Sequence, residues 1–301
     1  MTRKILVVTH RGRPEALQAE VTTITELERA GIEPVFDPVV TTTDHVEAVI
    51  VLGGDGTVLR AAELTWGSAT PILAINLGHV GFLAEAEISN LRESVQRLVQ
   101  GDYEVEARPA LDVTIHPGRG RDVVRAWALN DATIEKSNRQ RMIEVQLDVD
   151  DRPVTAYATD GVVIASSTGS TAHAFSAGGP VLWPDIRAAL VVPLAAHALF
   201  ARPLVVSDKS RVGITITSTS GADALVTMDG RRQVDLAPGA RIEVMVAKHE
   251  VHLARMNLSP FADRLVRRFS LPVNGWRARD GRDAATSDRT RGTSSNVGGG
   301  Q

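Results

Sequence analysis

The strongest constraint on this chain is a short passage near its start. The apolar run Val49-Ile-Val-Leu52 passes directly into Gly53-Gly-Asp-Gly-Thr57 and then into Val58-Leu-Arg-Ala-Ala-Glu-Leu64. A buried strand that meets three glycines and then a helical pattern defines a strand–turn–helix unit of a layered α/β fold. Glycine lets the backbone turn sharply and lets a phosphate approach it closely. The first amides of the following helix add positive potential, which favours a polyphosphate. Asp55 is the odd member, because a carboxylate repels phosphate. It fits a proton acceptor for a hydroxyl nucleophile or a contact to magnesium. An ordinary connection with a capping Asp would have the same spacing. The Walker pattern needs Gly-Lys-Ser/Thr at its end and finds none here, and the dinucleotide fingerprint needs a third glycine where Leu59 stands.

The flanking sequence continues the alternation. Lys4–Thr9, Ala48–Leu52 and residues 71–75 read as buried strands. Leu17, Val21, Ile24 and Leu27 are spaced as one helical face ending at Gly31. A later helix starts at Ser89 or Asn90, turns Leu91, Val95 and Leu98 inward, and stops at Gly101. From about residue 102 the pattern becomes strand-like, over 105–116, 123–135, 142–150, 154–165, 211–217, 224–228 and 241–246. The expected organisation is an α/β domain over 1–101, with a parallel sheet and helices, then a β-rich, sandwich-like domain over 102–260. A helix over 261–276 is expected to pack back on the first domain. A tail over 277–301, rich in Gly, Ser, Arg and Asp, has too little apolar content to order.

A second constellation lies in the β-rich part. Asp160-Gly-Val-Val-Ile-Ala165 runs into Ser166, Ser167, Thr168, Gly169, Ser170 and Thr171, then His173 and Phe175. Its hydroxyls suit ribose oxygens or phosphate, and its rings can lie against a base. A Ser/Thr-rich loop feeding a helix cap gives the same composition. Between the two clusters Asn130 and Asp131 interrupt an alternating apolar strand, as a nucleotide-reading pair or as a turn. Among the histidines no metal-ligand spacing stands out, and His197, inside an apolar run, reads as a core residue.

Net charge is −3 and aromatics are 4%, which argues against nucleic acid and anionic membranes as partners. There are no cysteines, which excludes disulfides and thiolate chemistry and fits a cytoplasmic setting. The N-terminus lacks a signal-peptide run. The most apolar stretch, 188–201, is shorter than a membrane span, which needs ~20 residues.

Taken in order, these segments resemble the NAD kinase family. The matching residues are Gly53-Gly-Asp-Gly-Thr57, Asn76-Leu-Gly-His-Val-Gly-Phe-Leu83, Asn130-Asp131, Asp160-Gly161, Thr168-Gly-Ser-Thr-Ala-His-Ala-Phe-Ser-Ala-Gly-Gly-Pro180 and Asp229-Gly-Arg231. The resemblance covers residues 4–276, and its actinobacterial branch is nearest. The first motif is shared with diacylglycerol-type lipid kinases and phosphofructokinases; the long second one is much more specific.

The resemblance implies an N-terminal α/β domain, a β-rich C-terminal domain and a nucleotide site between them. It implies a phosphoryl transfer from ATP or polyphosphate to the adenosine ribose 2′-hydroxyl of NAD. Asp55 would take the hydroxyl proton, with Gly54, Gly56, Thr57 and Arg60 beside NAD or the phosphates. Asn130 and Asp131 would bind the adenosine part. Arg141, Asp160, Thr168, Gly169, Ser170, Thr171, Ala172, His173 and Ser176 would add further contacts, as would Arg231. Mg²⁺ or another divalent cation would be held mainly by the donor phosphates. A homodimer or homotetramer is implied, with the site completed across a subunit interface.

Two positions depart from the family pattern: Ser167 where proline is usual, and His173 where tyrosine is usual. Loss of proline frees the backbone before the loop. His173 keeps a flat ring and a polar edge, and its protonation near neutral pH would make NAD affinity pH-sensitive. The two alternatives are a lipid kinase sharing the first motif, and a non-catalytic NAD-binding paralogue marked by Ser167 and His173. The Thr168–Pro180 passage opposes the first, and the retained Asp55 opposes the second.

Overall fold

The computed structural model describes residues 2–37, 46–78, 81–84, 86–217, 221, 223–256 and 260–273. The expected tail over 277–301, residues 274–276, and His79 and Val80 of the second matching passage lie outside them. The chain divides into two compact units, Met1–Leu258 and Ser259–Gln301.

The first unit opens with β1 (Lys4–Thr9), α1 (Pro14–Arg29), β2 (Glu33–Phe36), β3 (Ala48–Leu52), α2 (Asp55–Thr65), β4 (Ile72–Asn76), β5 (Ala86–Glu87) and α3 (Leu91–Gln100). β2, β1, β3 and β4 pair in that order, all parallel. Every residue of β3 and β4 is buried, as strands covered on both faces require. In α3, Leu91, Val95 and Leu98 face the core. The helix stops at Gly101 with φ 76°, a left-handed cap that glycine adopts without strain. In α1 the buried face differs from the expected one. Ala16, Ala19, Thr23 and Leu27 point inward, while Leu17 and Val21 are exposed. Small side chains let this helix lie close to its neighbours, so the larger apolar residues turn out.

Further strands follow: β6 (Glu104–His116), β7 (Val124–Ala128), β8 (Asp131–Lys136), β9 (Ile143–Val149), β10 (Arg152–Thr159) and β11 (Gly161–Ala165). After a short helix α4 (His173–Ser176) come β12 (Ala188–Leu194), β13 (Leu204–Ser207), β14 (Val212–Ile216), β15 (Ala224–Met228), β16 (Arg232–Leu236) and β17 (Arg241–Arg255). One sheet of eleven strands runs β10-β9-β14-β17-β4-β3-β1-β2, with β5 on β4, β6 on β17 and β7 on β6. It therefore draws strands from both sides of residue 102. The other is a six-stranded antiparallel sheet, β13-β12-β11-β8-β15-β16. Val113, Val145, Leu147 and Ile242 from the first sheet and Ile134, Val162, Ile164 and Val226 from the second form one apolar core. The two sheets thus face each other as a sandwich.

Two spans that read as single strands are each broken where the chain changes sheet. Residues 123–135 divide at Leu129-Asn130, passing from β7 in the large sheet to β8 in the small one. Residues 154–165 divide at Asp160, passing from β10 to β11 in the same way. β17 runs on to Arg255, well beyond the expected end at Val246, across a register shift between Val246 and Glu250. His197 is exposed rather than part of the core, with its amide bonded to the Ala158 carbonyl at 2.8 Å. The second unit carries α5 (Phe261–Phe269), which follows Pro260 and ends at Ser270 with φ 49°.

Candidate active site

Asp55 is the first residue of α2, with Gly54 as the N-cap. Its carboxylate accepts hydrogen bonds from the amides of Phe82 at 3.2 Å and Leu83 at 3.3 Å. These lie on the segment that follows β4, so the carboxylate is held across two loops at the C-terminal edge of the parallel sheet. Such an edge is where ligands meet open α/β sheets. Gly81 makes the approach feasible, since a Cβ there would fall 2.2 Å from Asp55 Oδ1.

One turn further along α2, Arg60 pairs with Asp37 at 2.8 Å and Glu63 at 3.2 Å. Hydrogen bonding to Asp37 raises its guanidinium above the usual arginine range, against the effect of burial. Glu63 also receives Arg231 at 3.1 Å and lies 3.5 Å from Arg232. Arg232 in turn pairs with Asp229 at 2.8 Å. Its guanidinium carbon lies 4.6 Å from the centroid of the Trp127 ring, within reach of a cation–π contact. Trp127 stacks on Trp66, just past the end of α2, at 3.9 Å between centroids. These contacts join α2 to the β15–β16 hairpin.

Asp229 carries the connection onward. At φ 53° it begins the hairpin turn, and its carboxylate accepts the amides of Leu129 at 3.0 Å and Asn130 at 2.7 Å. Burial raises its pKa, opposed by those amides and by Arg232. The Asn130 carbonyl accepts the Ser166 amide at 2.9 Å, and a Cβ at Gly169 would stand 1.9 Å from that oxygen. The hydroxyl-rich loop is thus pressed against the Asn130 backbone. Ser166 and Ser170 act inside the loop. Ser166 donates to the Leu129 carbonyl and accepts the Gly169 amide at 3.2 Å. Ser170 donates to the Ser167 carbonyl at 2.7 Å and accepts the Leu182 amide at 2.9 Å. Thr168 Oγ1 is buried with no hydrogen-bond partner among the described residues.

Asp131 is buried, and desolvation lifts its pKa from 3.8 to about 6; Thr133 and His173 oppose the rise, and Asp229 and Glu135 add to it. Thr133 Oγ1 donates to Asp131 Oδ1 at 2.9 Å and lies 3.2 Å from His173 Nδ1. Thr133 was not singled out in the sequence, yet it stands two positions from Asp131 on the same strand face. Thr171, Ala172, exposed His173 and exposed Ser176 complete this end of the loop.

Asp160 and Arg141 lie elsewhere. Gly161 pairs with Glu135 and Ala165 with Asp131, so Asp160 sits at the opposite end of β8 from Asp131. The length of strand between the two ends is ~16 Å. Asp160 pairs there with Lys136 at 2.5 Å, a partner that the sequence alone did not reveal, and Arg141 is exposed on the turn after β8. Among the described residues, no group of three His, Asp or Glu side chains is placed to hold a metal ion.

The fold and this edge-bound carboxylate suit a phosphotransferase, and comparison with known proteins shows the family. Residues 5–103 match the ATP-NAD kinase N-terminal domain and residues 129–256 the ATP-NAD kinase C-terminal domain. An NAD kinase of Leifsonia xyli is 48% identical, with 93% of this chain and 99% of that protein covered. The crystal structure of an Archaeoglobus fulgidus NAD kinase in complex with ATP is similar at a TM-score of 0.72 and 25% identity, covering 90% of this chain and all of that one. The yeast NADH kinase complexed with NADH shares the fold at a TM-score of 0.81 and 21% identity, covering 91% and 89% of the two chains. The chain belongs to the NAD kinase family, as the motifs imply.

Proposed function

We propose that this protein transfers the terminal phosphoryl group of ATP or polyphosphate to the adenosine ribose 2′-hydroxyl of NAD, giving NADP. The observation that carries the reading is the continuous chain of contacts from Asp55 and α2, through Glu63, Arg232 and Asp229, to Asn130 and the Thr168–Gly169 turn. It joins a lone carboxylate in a glycine-rich turn to a set of hydroxyls, amides and a ring suited to a nucleoside.

In this reading Asp55 accepts the 2′-hydroxyl proton while that oxygen bonds to the terminal phosphorus. The bond from that phosphorus to the bridging oxygen breaks, and ADP or a shortened polyphosphate leaves. Gly54, Gly56 and Thr57 supply backbone close to the phosphates, and Arg60 lies near enough along α2 to exchange part of its pairing with Asp37 for a phosphate oxygen. Asn130 and Asp131 hold the adenosine, and Thr168 Oγ1, otherwise unsatisfied, offers it a polar partner. Mg²⁺, bound by donor phosphate oxygens beside Asp55, would neutralise their charge.

The placement of Asp160 and Arg141 at the far end of β8 supports a homodimer or homotetramer. One subunit would lend these residues to the site of the next, since they are too distant to join Asp131 in their own. The lack of cysteine supports a cytoplasmic setting. No described helix is long and apolar enough to cross a membrane.

The assay is direct: purified protein with NAD, Mg²⁺ and either ATP or polyphosphate, read by an NADP-specific dehydrogenase. NADP formation with at least one donor is expected. Turnover of diacylglycerol instead would favour a lipid kinase, and tight NAD binding without product under every donor would favour a regulatory paralogue.

A further inference from the structure

The carboxylate of Asp55 is oriented by two amides on the segment after β4, so its aim depends on what fixes that segment. Arg255 reaches it from the end of β17. Its Nη1 donates to the Leu83 carbonyl at 3.0 Å, across 172 positions of sequence. Leu83 is the residue whose own amide bonds Asp55 Oδ1. Arg255 is only 4% exposed. Its Nε donates to Glu106 on β6, a carboxylate shared with buried Arg108 at 3.0 Å. The neighbouring Met256 carbonyl is held by Arg97 at 2.8 Å. β17 joins the parallel sheet through Leu253, which pairs with Ile72 of β4. Arg255 therefore stands two positions further toward the edge from which β4 leads to Leu83.

A buried guanidinium is a costly anchor, and apolar side chains of like volume often stabilise as well or better. A charged group at this point gives what packing does not: a directional bond to one carbonyl. We infer that Arg255 is a positioning residue for catalysis, fixing Leu83 through its carbonyl so that the Leu83 and Phe82 amides aim the Asp55 carboxylate. The inference rests on the proposed role of Asp55 as the base. It places the control of a residue near the start of the chain in the last strand of the sandwich.

The test is a double-mutant cycle on the full chain, using Arg255→Met, Arg255→Lys, Asp55→Asn and the two combinations. Displacement of a reacting group by a fraction of an ångström lowers turnover strongly, so Arg255→Met is expected to reduce kcat about tenfold or more with the KM for NAD nearly unchanged. Arg255→Lys, which keeps a donor, should recover part of the loss. In the Asp55→Asn background neither Arg255 substitution should lower the residual rate further. The same fold loss in both backgrounds, or an unchanged kcat in Arg255→Met, would overturn the inference. Should Arg255→Met fail to fold, the Arg255→Lys cycle decides it on the same criterion. Full turnover in Asp55→Asn alone would instead remove Asp55 as the base, and the aiming role with it.

Discussion

Gly169 faces Asn130 so closely that a methyl group on its Cα would stand 1.9 Å from the Asn130 carbonyl oxygen. The hydroxyl-rich loop and the Asn130-Asp131 pair can therefore share one wall only while residue 169 has no side chain. Gly169→Ala must push the two apart. Overpacking of this kind costs about 1–3 kcal/mol, and here the displaced backbone is the proposed nucleoside wall. We expect a lower Tm together with weaker NAD binding by calorimetry. Unaltered NAD affinity would show that the loop does not line the site.

Asp131 should make stability fall as pH rises. Its carboxyl, raised to about 6 by burial, holds a proton in the folded protein more readily than in the unfolded chain. Stability is then fully present below about pH 4 and lost as pH rises to about 6, by on the order of 3 kcal/mol. Asp131→Asn, which stays neutral and can still accept from Thr133, is expected to be more stable than the parent at pH 7.5. The gain should vanish near pH 4, while NAD affinity drops. Urea unfolding at the two pH values measures it, and an equal effect at both would contradict the assignment.

Ser167 adopts φ −57°, within the range that a proline ring imposes. Its hydroxyl makes only a long bond to the Pro184 carbonyl, at 3.4 Å. The loop therefore holds the conformation that the usual proline would enforce. Ser167→Pro should stabilise the protein by about 0.4–1 kcal/mol through the unfolded chain, with kcat preserved. Thermal unfolding reads the gain, and a clear loss would mean that the Ser167 amide has a partner it needs.

His173 is exposed, and among the described residues the hydrogen-bonding neighbour of its ring is Thr133 Oγ1. Thr133 keeps its bond to Asp131 whatever ring stands at 173. His173→Tyr should change the KM for NAD by less than about fivefold, the worth of one hydrogen bond, and leave kcat intact. A large fall in kcat would give the histidine a role of its own.

The α/β half was legible because β1, β3 and β4 are unbroken apolar runs, with β3 and β4 buried on both faces. The glycine-rich turn stood out because Gly53, Gly54 and Gly56 follow a buried apolar strand directly. What strand patterning could not give was the change of sheet at Asn130 and Asp160. A polar residue in an apolar strand marks a break, but the new pairing partner lies far along the chain. The buried face of α1 was misread because Ala16 and Ala19 carry little apolar weight in a periodicity, although small residues suit close packing. Arg255, Glu63 and Lys136 were illegible for one shared reason. Each works through a partner distant in sequence, and a charged residue read alone looks like solvated surface.

Separating binding from turnover in Asp55→Asn tests most directly whether Asp55 is the base. The substitution keeps shape and one oxygen to accept a Phe82 or Leu83 amide, and removes the capacity to take a proton. NAD affinity by calorimetry should stay within a few-fold of the parent, while NADP formation falls by about 10²–10⁴. Turnover at the parent rate, with NAD still bound, would contradict that role.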